Sequence, residues 1–438
     1  MEHGPRTRRK FLATTAAFGA GLAGLRAVLA WPSDGKLPVT GRANRNLESF
    51  DRLMTSFVAE HQIPGASLAV ARNGKLVFAR GFGYADVEQT EPAQPASLFR
   101  IASVSKPLTA VAVLQLVERG KVGLDDKVVD RMKLTPFVSP GTEPDERWKQ
   151  ITIRQCLQHT GGWDREKSGD PIGWPFQIAE ALKVSPPVDP VQIVRYMMGR
   201  PLDFDPGAEH IYSNLGYLVL GRIIEAVTGE KYEDYVTKEV LAPLRIHVAR
   251  LGRVLPENRA KGEVVYYDSQ KRMGTSLYPP HQQVPLQYGA ENLEGFEAHG
   301  GWIASAVQLV RFAAAFDKPA KCALLRAKTI AEMRARPAGP AGYGRDGKPK
   351  DAYYACGWSV RPIGDTGKTN DWHGGLIAGS EALLVRRWDG LNWAVLFNTA
   401  LTPDGKRNLT GLIDGPLHTA ADQVKRWPST DQFGTFLN

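Results

Sequence analysis

Two side chains that can act as a nucleophile and its base lie three positions apart, at Ser103 and Lys106. A serine hydroxyl attacks well only when another group takes its proton, and residues three apart on a helix share one face. Burial lowers the pKa of a lysine, so a buried Lys106 could accept that proton. The same spacing occurs at Ser33 and Lys36, in a polar stretch rich in Gly and Pro. A helix N-cap is the alternative role for Ser103.

A phenol and an amide follow at Tyr212 and Asn214, in the chain's single Tyr-x-Asn. A nearby ammonium group favours the ionised phenol, so Tyr212 could relay a proton. The Asn214 amide could hold a substrate carbonyl or the lysine. The alternative is a core tyrosine followed by an N-cap residue.

A third candidate site is His373-Gly374-Gly375, shortly before a predicted strand at 381–386. Two glycines let a substrate approach the backbone closely. The N–H of Leu376, at the strand edge, could then face a developing oxyanion, together with N–H groups at the start of the Ser103 helix.

Other motifs are less convincing. A second His-Gly-Gly at 299–301 precedes residues 302–312, whose pattern predicts a capped amphipathic helix rather than a strand, so we favour His373 over His299. The glycines at 19, 21 and 24 match a dinucleotide fingerprint but follow no predicted strand. The sequence contains neither Gly-x-Ser-x-Gly nor His-Glu-x-x-His.

Periodicity predicts the elements that must position these groups. Apolar residues at helical spacing predict an amphipathic helix over 44–61, and residues 107–119 are apolar nearly all round, which is typical of a buried helix. Asn73-Gly74 separates two β-rich runs, 67–71 and 76–80, and predicts a hairpin. The other predicted elements are helices at 215–227 and 413–426 and strands at 381–386 and 393–398.

Strands near both ends of the chain and helices between them predict an α+β fold. We expect one antiparallel β-sheet, built from both chain ends and flanked by helices, with a mostly helical domain inserted. The predicted boundaries are 31–119 and 296–438 for the sheet domain and 120–295 for the insertion.

The three candidate motifs follow one another in the order Ser-x-x-Lys, Tyr-x-Asn and His-Gly-Gly. This order resembles the motif pattern of the serine β-lactamase and penicillin-recognising superfamily. The similarity is greatest to the branch of class C β-lactamases, D-Ala-D-Ala carboxypeptidases and β-lactamase-like esterases. It covers almost the whole chain after the N-terminal segment. The matching stretches are 99–107, 120–126, 157–163 and 206–217.

The resemblance implies a β-lactamase/transpeptidase-like fold and acyl transfer through Ser103, with Lys106 as base and Tyr212 as proton relay. Asn214 would orient substrate. The N–H groups of Ser103 and Leu376 would form the oxyanion hole, with His373, Gly374 and Gly375 along the opposite wall. No cofactor and no metal are implied, and the partner would be a small-molecule or peptide substrate.

The His373 motif departs from the family pattern. Many β-lactamases have Lys-Thr-Gly at this point, and that lysine pairs with the substrate carboxylate, whereas histidine is mostly neutral at pH 7. The departure favours an esterase or peptidase-like hydrolase over a dedicated β-lactamase or D-Ala-D-Ala carboxypeptidase. A non-catalytic cell-wall-binding protein on the same fold is the third alternative.

The N-terminus predicts export. Residues 7–12 read Thr-Arg-Arg-Lys-Phe-Leu, an uncharged stretch follows to Leu25, and small residues close the segment near Ala30. This pattern is typical of a twin-arginine signal peptide over residues 1–30, which predicts a periplasmic or extracellular protein with no membrane contact after cleavage. A retained anchor is the alternative.

Composition excludes several classes of protein. The 438 residues include 43% hydrophobic and 23% charged residues, as in ordinary globular proteins. The net charge of +9 is mild for this length, and the body of the chain has no basic block, so nucleic acid is not an expected partner. Three cysteines form no disulfide framework, and free thiols are expected.

Overall fold

A nine-stranded antiparallel sheet lies at the centre of the computed structural model, which describes residues 37–437. In chain order the strands of this part are β1 (Val39–Thr40), β2 (Gly65–Arg72), β3 (Lys75–Asp86), β4 (Glu91–Pro92), β5 (Phe99–Arg100), β6 (Arg250–Leu251), β7 (Tyr267–Asp268), β8 (Met273–Thr275), β9 (Gln283–Pro285), β10 (Trp302–Ala304), β11 (Tyr353–Tyr354), β12 (Ser359–Pro362), β13 (Thr369–Ile377), β14 (Ser380–Arg386), β15 (Leu391–Phe397) and β16 (Thr399–Ala400). The strand order is β1-β3-β2-β15-β14-β13-β12-β11, with β4 beside β3. Ala66 of β2 faces Phe397 of β15, so both ends of the chain contribute to one sheet, as predicted.

Helices cover both faces of this sheet. The helices of the described chain are α1 (Glu48–Glu60), α2 (Ser105–Glu118), α3 (Val128–Met132), α4 (Ile153–Leu157), α5 (Pro175–Leu182), α6 (Pro190–Met198), α7 (Asn214–Thr228), α8 (Tyr232–Val236), α9 (Leu293–Gly300), α10 (Ala306–Ala314), α11 (Ala327–Arg334), α12 (Leu409–Asp422) and α13 (Phe433–Phe436). One core lies between the sheet, α1 and α12, and a larger core joins the other face to α2, α7 and α10. The predicted α+β class is therefore confirmed.

Strand β2 shows why the sheet is buried on both sides. Leu68 and Val70 belong to the core under α1 and α12, whereas Ala69 and Ala71 belong to the larger core. Successive side chains of a strand point to opposite faces, so a strand that is apolar throughout needs cover on both. Its hairpin turn, Asn73-Gly74, has positive φ at both residues (50° and 80°), as a two-residue hairpin turn prefers.

Helix α12 begins four residues before its predicted start, at Leu409. The buried carboxylate of Glu381 in β14 accepts the Leu409 and Thr410 N–H groups at 3.0 and 2.8 Å. A side chain from a distant strand thus caps this helix, whereas the side chain of Asn408, a residue type favoured at N-caps, makes no cap hydrogen bond.

The helix predicted over 302–312 is partly wrong, because its first three residues form strand β10 and α10 begins only at Ala306. Ile303 of β10 pairs with Arg100 of β5, three residues before Ser103. A three-residue buried strand has too few positions to show a period of two, so the pattern of the following helix dominated the prediction.

The predictions for the N-terminus fall outside the described residues. The signal-type segment over 1–30 and the second Ser-x-x-Lys at Ser33 both precede Leu37. Within residues 37–437, none of the helices has the length and hydropathy needed to cross a bilayer. The three cysteines are free, as expected, and Cys156 and Cys356 are buried.

Candidate active site

Ser103 lies in a 3-10 turn, Ala102–Val104, that leads directly into α2. Ala102 has φ +45°, a left-handed conformation that is unfavourable for a residue with a Cβ. The backbone is held there by the Ile101 N–H, which donates to the Trp302 carbonyl at 3.0 Å. The turn places Ser103, half-buried, on the wall of a cavity of about 810 Å³.

Lys106 is fully buried one helical turn further on, and its Nζ has three partners. It lies 3.0 Å from Ser103 Oγ, 2.8 Å from Asn214 Oδ1 and 2.9 Å from the His299 carbonyl oxygen. Burial lowers the pKa of Lys106 well below its usual value. A neutral amine has two N–H groups and one lone pair. Since the two oxygens accept both N–H groups, the lone pair is left for the Ser103 hydroxyl proton.

Tyr212 lies on the other side of the nucleophile, and its hydroxyl is hydrogen-bonded to Ser103. The Lys106 Nζ lies 4.7 Å from the centre of the Tyr212 ring. The sequence predicted that the ammonium would favour the phenolate, but burial instead raises the pKa of Tyr212. Desolvation outweighs the attraction because Lys106 itself favours the neutral form. Tyr212 therefore holds its proton and can donate it.

Asn214 is the first residue of α7, and its amide is bound on both sides. Its Oδ1 accepts from Lys106, and its Nδ2 donates to Asp170 Oδ2 at 2.7 Å. The residue that caps α7 is Ser213, whose hydroxyl accepts the Gly216 N–H. The alternative N-cap role therefore belongs to Ser213 and not to Asn214.

Asp170 was missed by the sequence analysis. It lines the cavity and fixes the orientation of the Asn214 amide, which in turn fixes which atom faces Lys106. Its local sequence, Asp-Pro before a short 3-10 turn, is a common turn signal and says nothing about Asn214.

His373 forms the opposite wall from strand β13, and both of its ring nitrogens are occupied. Nδ1–H donates to the Gly374 carbonyl at 2.7 Å, and Nε2 accepts from the Tyr354 hydroxyl at 2.9 Å. Burial lowers the pKa of His373 to about 3. The imidazole therefore stays neutral, and this wall has no cation at the position of the family lysine.

The strand β13 passes very close to the nucleophile turn at Gly375. A Cβ on Gly375 would lie 2.2 Å from the Ile101 carbonyl oxygen, a distance that no real side chain can adopt. The next residue, Leu376, is 45% exposed and lines the same cavity as Ser103. Of the eight predicted site residues, seven line this cavity, and Lys106 lies buried beneath Ser103. The seven are Ser103, Tyr212, Asn214, His373, Gly374, Gly375 and Leu376.

His299 also lies at the site, although its sequence context favours His373. Its carbonyl accepts from Lys106, and it lines the cavity. The pairing of β10 with β5 brings the 299–301 segment beside the nucleophile turn. The two His-Gly-Gly motifs thus lie around one cavity, and only His373 lies in a strand.

Comparison with known proteins places this geometry in context. The Beta-lactamase family model matches residues 50–414, which is most of the chain. The chain belongs to the beta-lactamase family. This family relationship agrees with the predicted resemblance and with the sheet and helical layers described above.

Curated relatives of this family are similar over part of their length. Penicillin-binding protein 4* of Bacillus subtilis (strain 168) is 34% identical over 202 residues, which is 45% of this chain and 40% of that protein. Protein flp of Staphylococcus aureus (strain N315) is 31% identical over 231 residues, 53% of this chain and 43% of that protein. The matches therefore span less than half the length of these relatives.

Several solved structures share the fold of this chain. The D-amino acid amidase of Ochrobactrum anthropi SV3 superposes with a TM-score of 0.65 at 22% identity, covering 87% of this chain and 99% of the amidase. EstCE1, a hydrolase with promiscuous acyltransferase activity, gives 0.64 at 21% identity, with coverage of 87% and 99%. A penicillin-binding protein homologue from Pyrococcus abyssi gives 0.60 at 24% identity, with coverage of 87% and 78%.

Proposed function

We propose that this protein hydrolyses a small ester or amide through an acyl-enzyme on Ser103. The observation that carries the proposal is the contact of 3.0 Å between Lys106 Nζ and Ser103 Oγ, with two carbonyl-type oxygens accepting the remaining N–H groups of the amine. A buried lysine with its lone pair directed at a serine hydroxyl is arranged to act as a general base.

The chemical steps follow from these contacts. Lys106 takes the Ser103 hydroxyl proton as Oγ forms a bond to the substrate carbonyl carbon. The N–H groups of Ser103 and Leu376 stabilise the oxyanion. Tyr212 donates its proton to the leaving group as that bond breaks, and Lys106 returns a proton to Tyr212. Water then adds to the acyl carbon, and its proton passes by the same groups to Ser103 as the acid leaves.

The wall formed by His373 favours a substrate without a carboxylate at that position. A neutral imidazole with both nitrogens occupied offers an anion neither charge nor a free N–H. The cavity volume of about 810 Å³ suits a small molecule. These observations favour esterase or amidase activity over β-lactamase or D-Ala-D-Ala carboxypeptidase activity.

Intact-mass detection of an acyl adduct tests the proposal. The wild-type protein would be mixed with short-chain nitrophenyl esters, a penicillin and a D-Ala-D-Ala peptide. We expect an adduct with the esters, none in Ser103→Ala, and a loss of turnover of about a thousandfold or more in that variant. Ser105→Ala, two residues away and outside the cavity, is the matched control.

The other outcomes identify the alternatives. An adduct formed by the penicillin or the peptide but not by the esters would support the alternative function, that of a β-lactamase or a D-Ala-D-Ala carboxypeptidase. Absence of any adduct and of any turnover would leave a binding protein on this fold and overturn the hydrolase proposal.

A further inference from the structure

The charged residues that line the cavity differ in whether they have a partner. Asp170 accepts from Asn214, and Arg361 lies 3.4 Å from Asp414. Arg165 lies at the rim, 3.7 Å from Glu166. Each of these charges is therefore satisfied within the protein or exposed to water.

Glu291 is different, because it is a partly buried carboxylate on the cavity wall with one hydrogen bond. The Ala378 N–H donates to it, and within residues 37–437 no basic side chain lies at ion-pair distance from it. Among the basic residues, Arg100 has the largest lowering effect on the pKa of Glu291. That guanidinium donates instead to the Gln287 and Arg253 carbonyls, at 2.8 and 3.0 Å.

The Ala378 contact locates the Glu291 carboxylate relative to the proposed oxyanion hole. Ala378 begins the turn after β13, and the two residues before it, Leu376 and Ile377, are extended with a rise of about 3.3 Å each, so the backbone nitrogens of Leu376 and Ala378 lie about 7 Å apart. A substrate carbonyl bound to the Leu376 N–H would therefore place a group a few bonds away near Glu291.

The electrostatic surroundings of Glu291 disfavour its charge in the free protein. Burial raises its pKa to about 7, Arg100 and Arg272 oppose that shift, and Asp268 adds to it. A buried carboxylate without a cation is costly, and an opposite charge nearby removes that cost. An ammonium group in the cavity would supply the missing partner.

We propose that Glu291 binds a primary ammonium group that the substrate carries within a few bonds of the reacting carbonyl. The inference rests on the proposed hydrolase function and narrows its substrates to esters and amides of amino acids. Glu291 is thus a specificity-determining residue, and the acyl-transfer steps on Ser103 do not need it.

A matched pair of substrates tests this preference. Phenylalanine p-nitroanilide, as each enantiomer, would be compared with 3-phenylpropionyl p-nitroanilide, which lacks the amine. We expect the wild type to favour an amine-bearing substrate in kcat/KM by about tenfold or more, the scale of one charge-assisted contact. Glu291→Gln should lose that preference and keep its activity on the des-amino substrate, which also shows that the variant is folded.

The control variant is Glu257→Gln, an exposed glutamate outside the cavity, which should behave as wild type. An equal loss on both substrates in Glu291→Gln, or an amine preference that survives the substitution, would overturn the proposal for Glu291. No preference in the wild type would also overturn it.

A binding measurement separates this proposal from the hydrolase proposal. Calorimetry on Ser103→Ala would compare phenylalanine amide with 3-phenylpropionamide, and then repeat the comparison on Ser103→Ala/Glu291→Gln. Tighter binding of the amine that disappears in the double variant supports the Glu291 site even when the wild type turns over nothing. Equal binding of the two amides to Ser103→Ala would reject it.

Discussion

Lys106 is the residue whose protonation state controls the proposed chemistry. It can act as base only when neutral, and burial lowers its pKa so that the neutral form is accessible below the usual lysine range. Two neighbours adjust this balance. Asn214 contacts the Lys106 Nζ without adding charge. The Asp170 carboxylate, which is hydrogen-bonded to the other end of the Asn214 amide, raises the pKa of Lys106.

Removing the charge of Asp170 should move the acid limb of the pH profile to lower pH. Asp170→Asn takes away the carboxylate that raises the pKa of Lys106, so kcat/KM should be retained further into the acid range than in the wild type. The measurement is kcat/KM against pH for the variant and the wild type. Identical acid limbs in the two proteins would mean that Lys106 is not the base.

Strand β13 and the nucleophile turn meet in a contact that tolerates no extra atom. Gly375→Ala would place a Cβ 2.2 Å from the Ile101 carbonyl oxygen, so the strand must move away from the turn, and Leu376 would move with it. Since a displacement of about 1 Å can cost about a hundredfold in rate, we expect a loss of that order in kcat.

Gly374→Ala is the comparison for that variant, because its Cβ would meet nothing closer than 3.9 Å. Its effect on kcat should be clearly smaller, and circular dichroism and thermal melting would show that both variants are folded. Equal losses in the two variants would contradict the role assigned to the Gly375 contact.

The sequence predicts the secondary-structure elements whose signal lies in their own residues. Helices α2 and α7 follow from long apolar runs, and the β2–β3 hairpin follows from Asn73-Gly74. Strand β10 was missed because three residues are too few to show a period. Helix α12 begins four residues before its predicted start, and its first N–H groups are bound by Glu381 from another strand rather than by the adjacent Asn408 side chain.

The motifs of the predicted site residues are short and can be found in the sequence, whereas the contacts that support those residues depend on the fold. Ser103, Lys106, Tyr212 and Asn214 lie together as expected. Asp170 and the His299 carbonyl reach them only through chain packing, so no spacing in the sequence indicates either contact.

Within residues 37–437, burial lowers the pKa values of five histidines, and these groups affect the stability of the molecule as pH falls. An unfolded chain binds protons on these groups near pH 6.5, while the folded chain does not, so stability is lost as pH drops. Glu291 and Glu297, with pKa values raised to about 7, oppose this effect but are fewer. The five histidines are His159, His210, His299, His373 and His418.

We therefore expect the free energy of unfolding to be lower at pH 5 than at pH 7.5, by about 1.4 kcal/mol per pH unit for each net proton taken up by the unfolded chain. Urea unfolding at the two pH values measures it. His210→Gln should reduce the difference, because its pKa of about 4 makes it one of the contributing groups. Equal stability at both pH values would show that the histidines do not dominate the pH dependence of the free energy of unfolding.

The pairing of β2 with β15 also has a consequence during synthesis. More than 300 residues separate Leu68 from its neighbour Val395, so the ribosome needs roughly 20 to 60 s to deliver the second strand after the first. Throughout that delay the apolar edge of the early hairpin has no native neighbour and depends on chaperones or on weak transient cover. Nascent chains that stop short of residue 391 should therefore aggregate, however complete their catalytic motifs are.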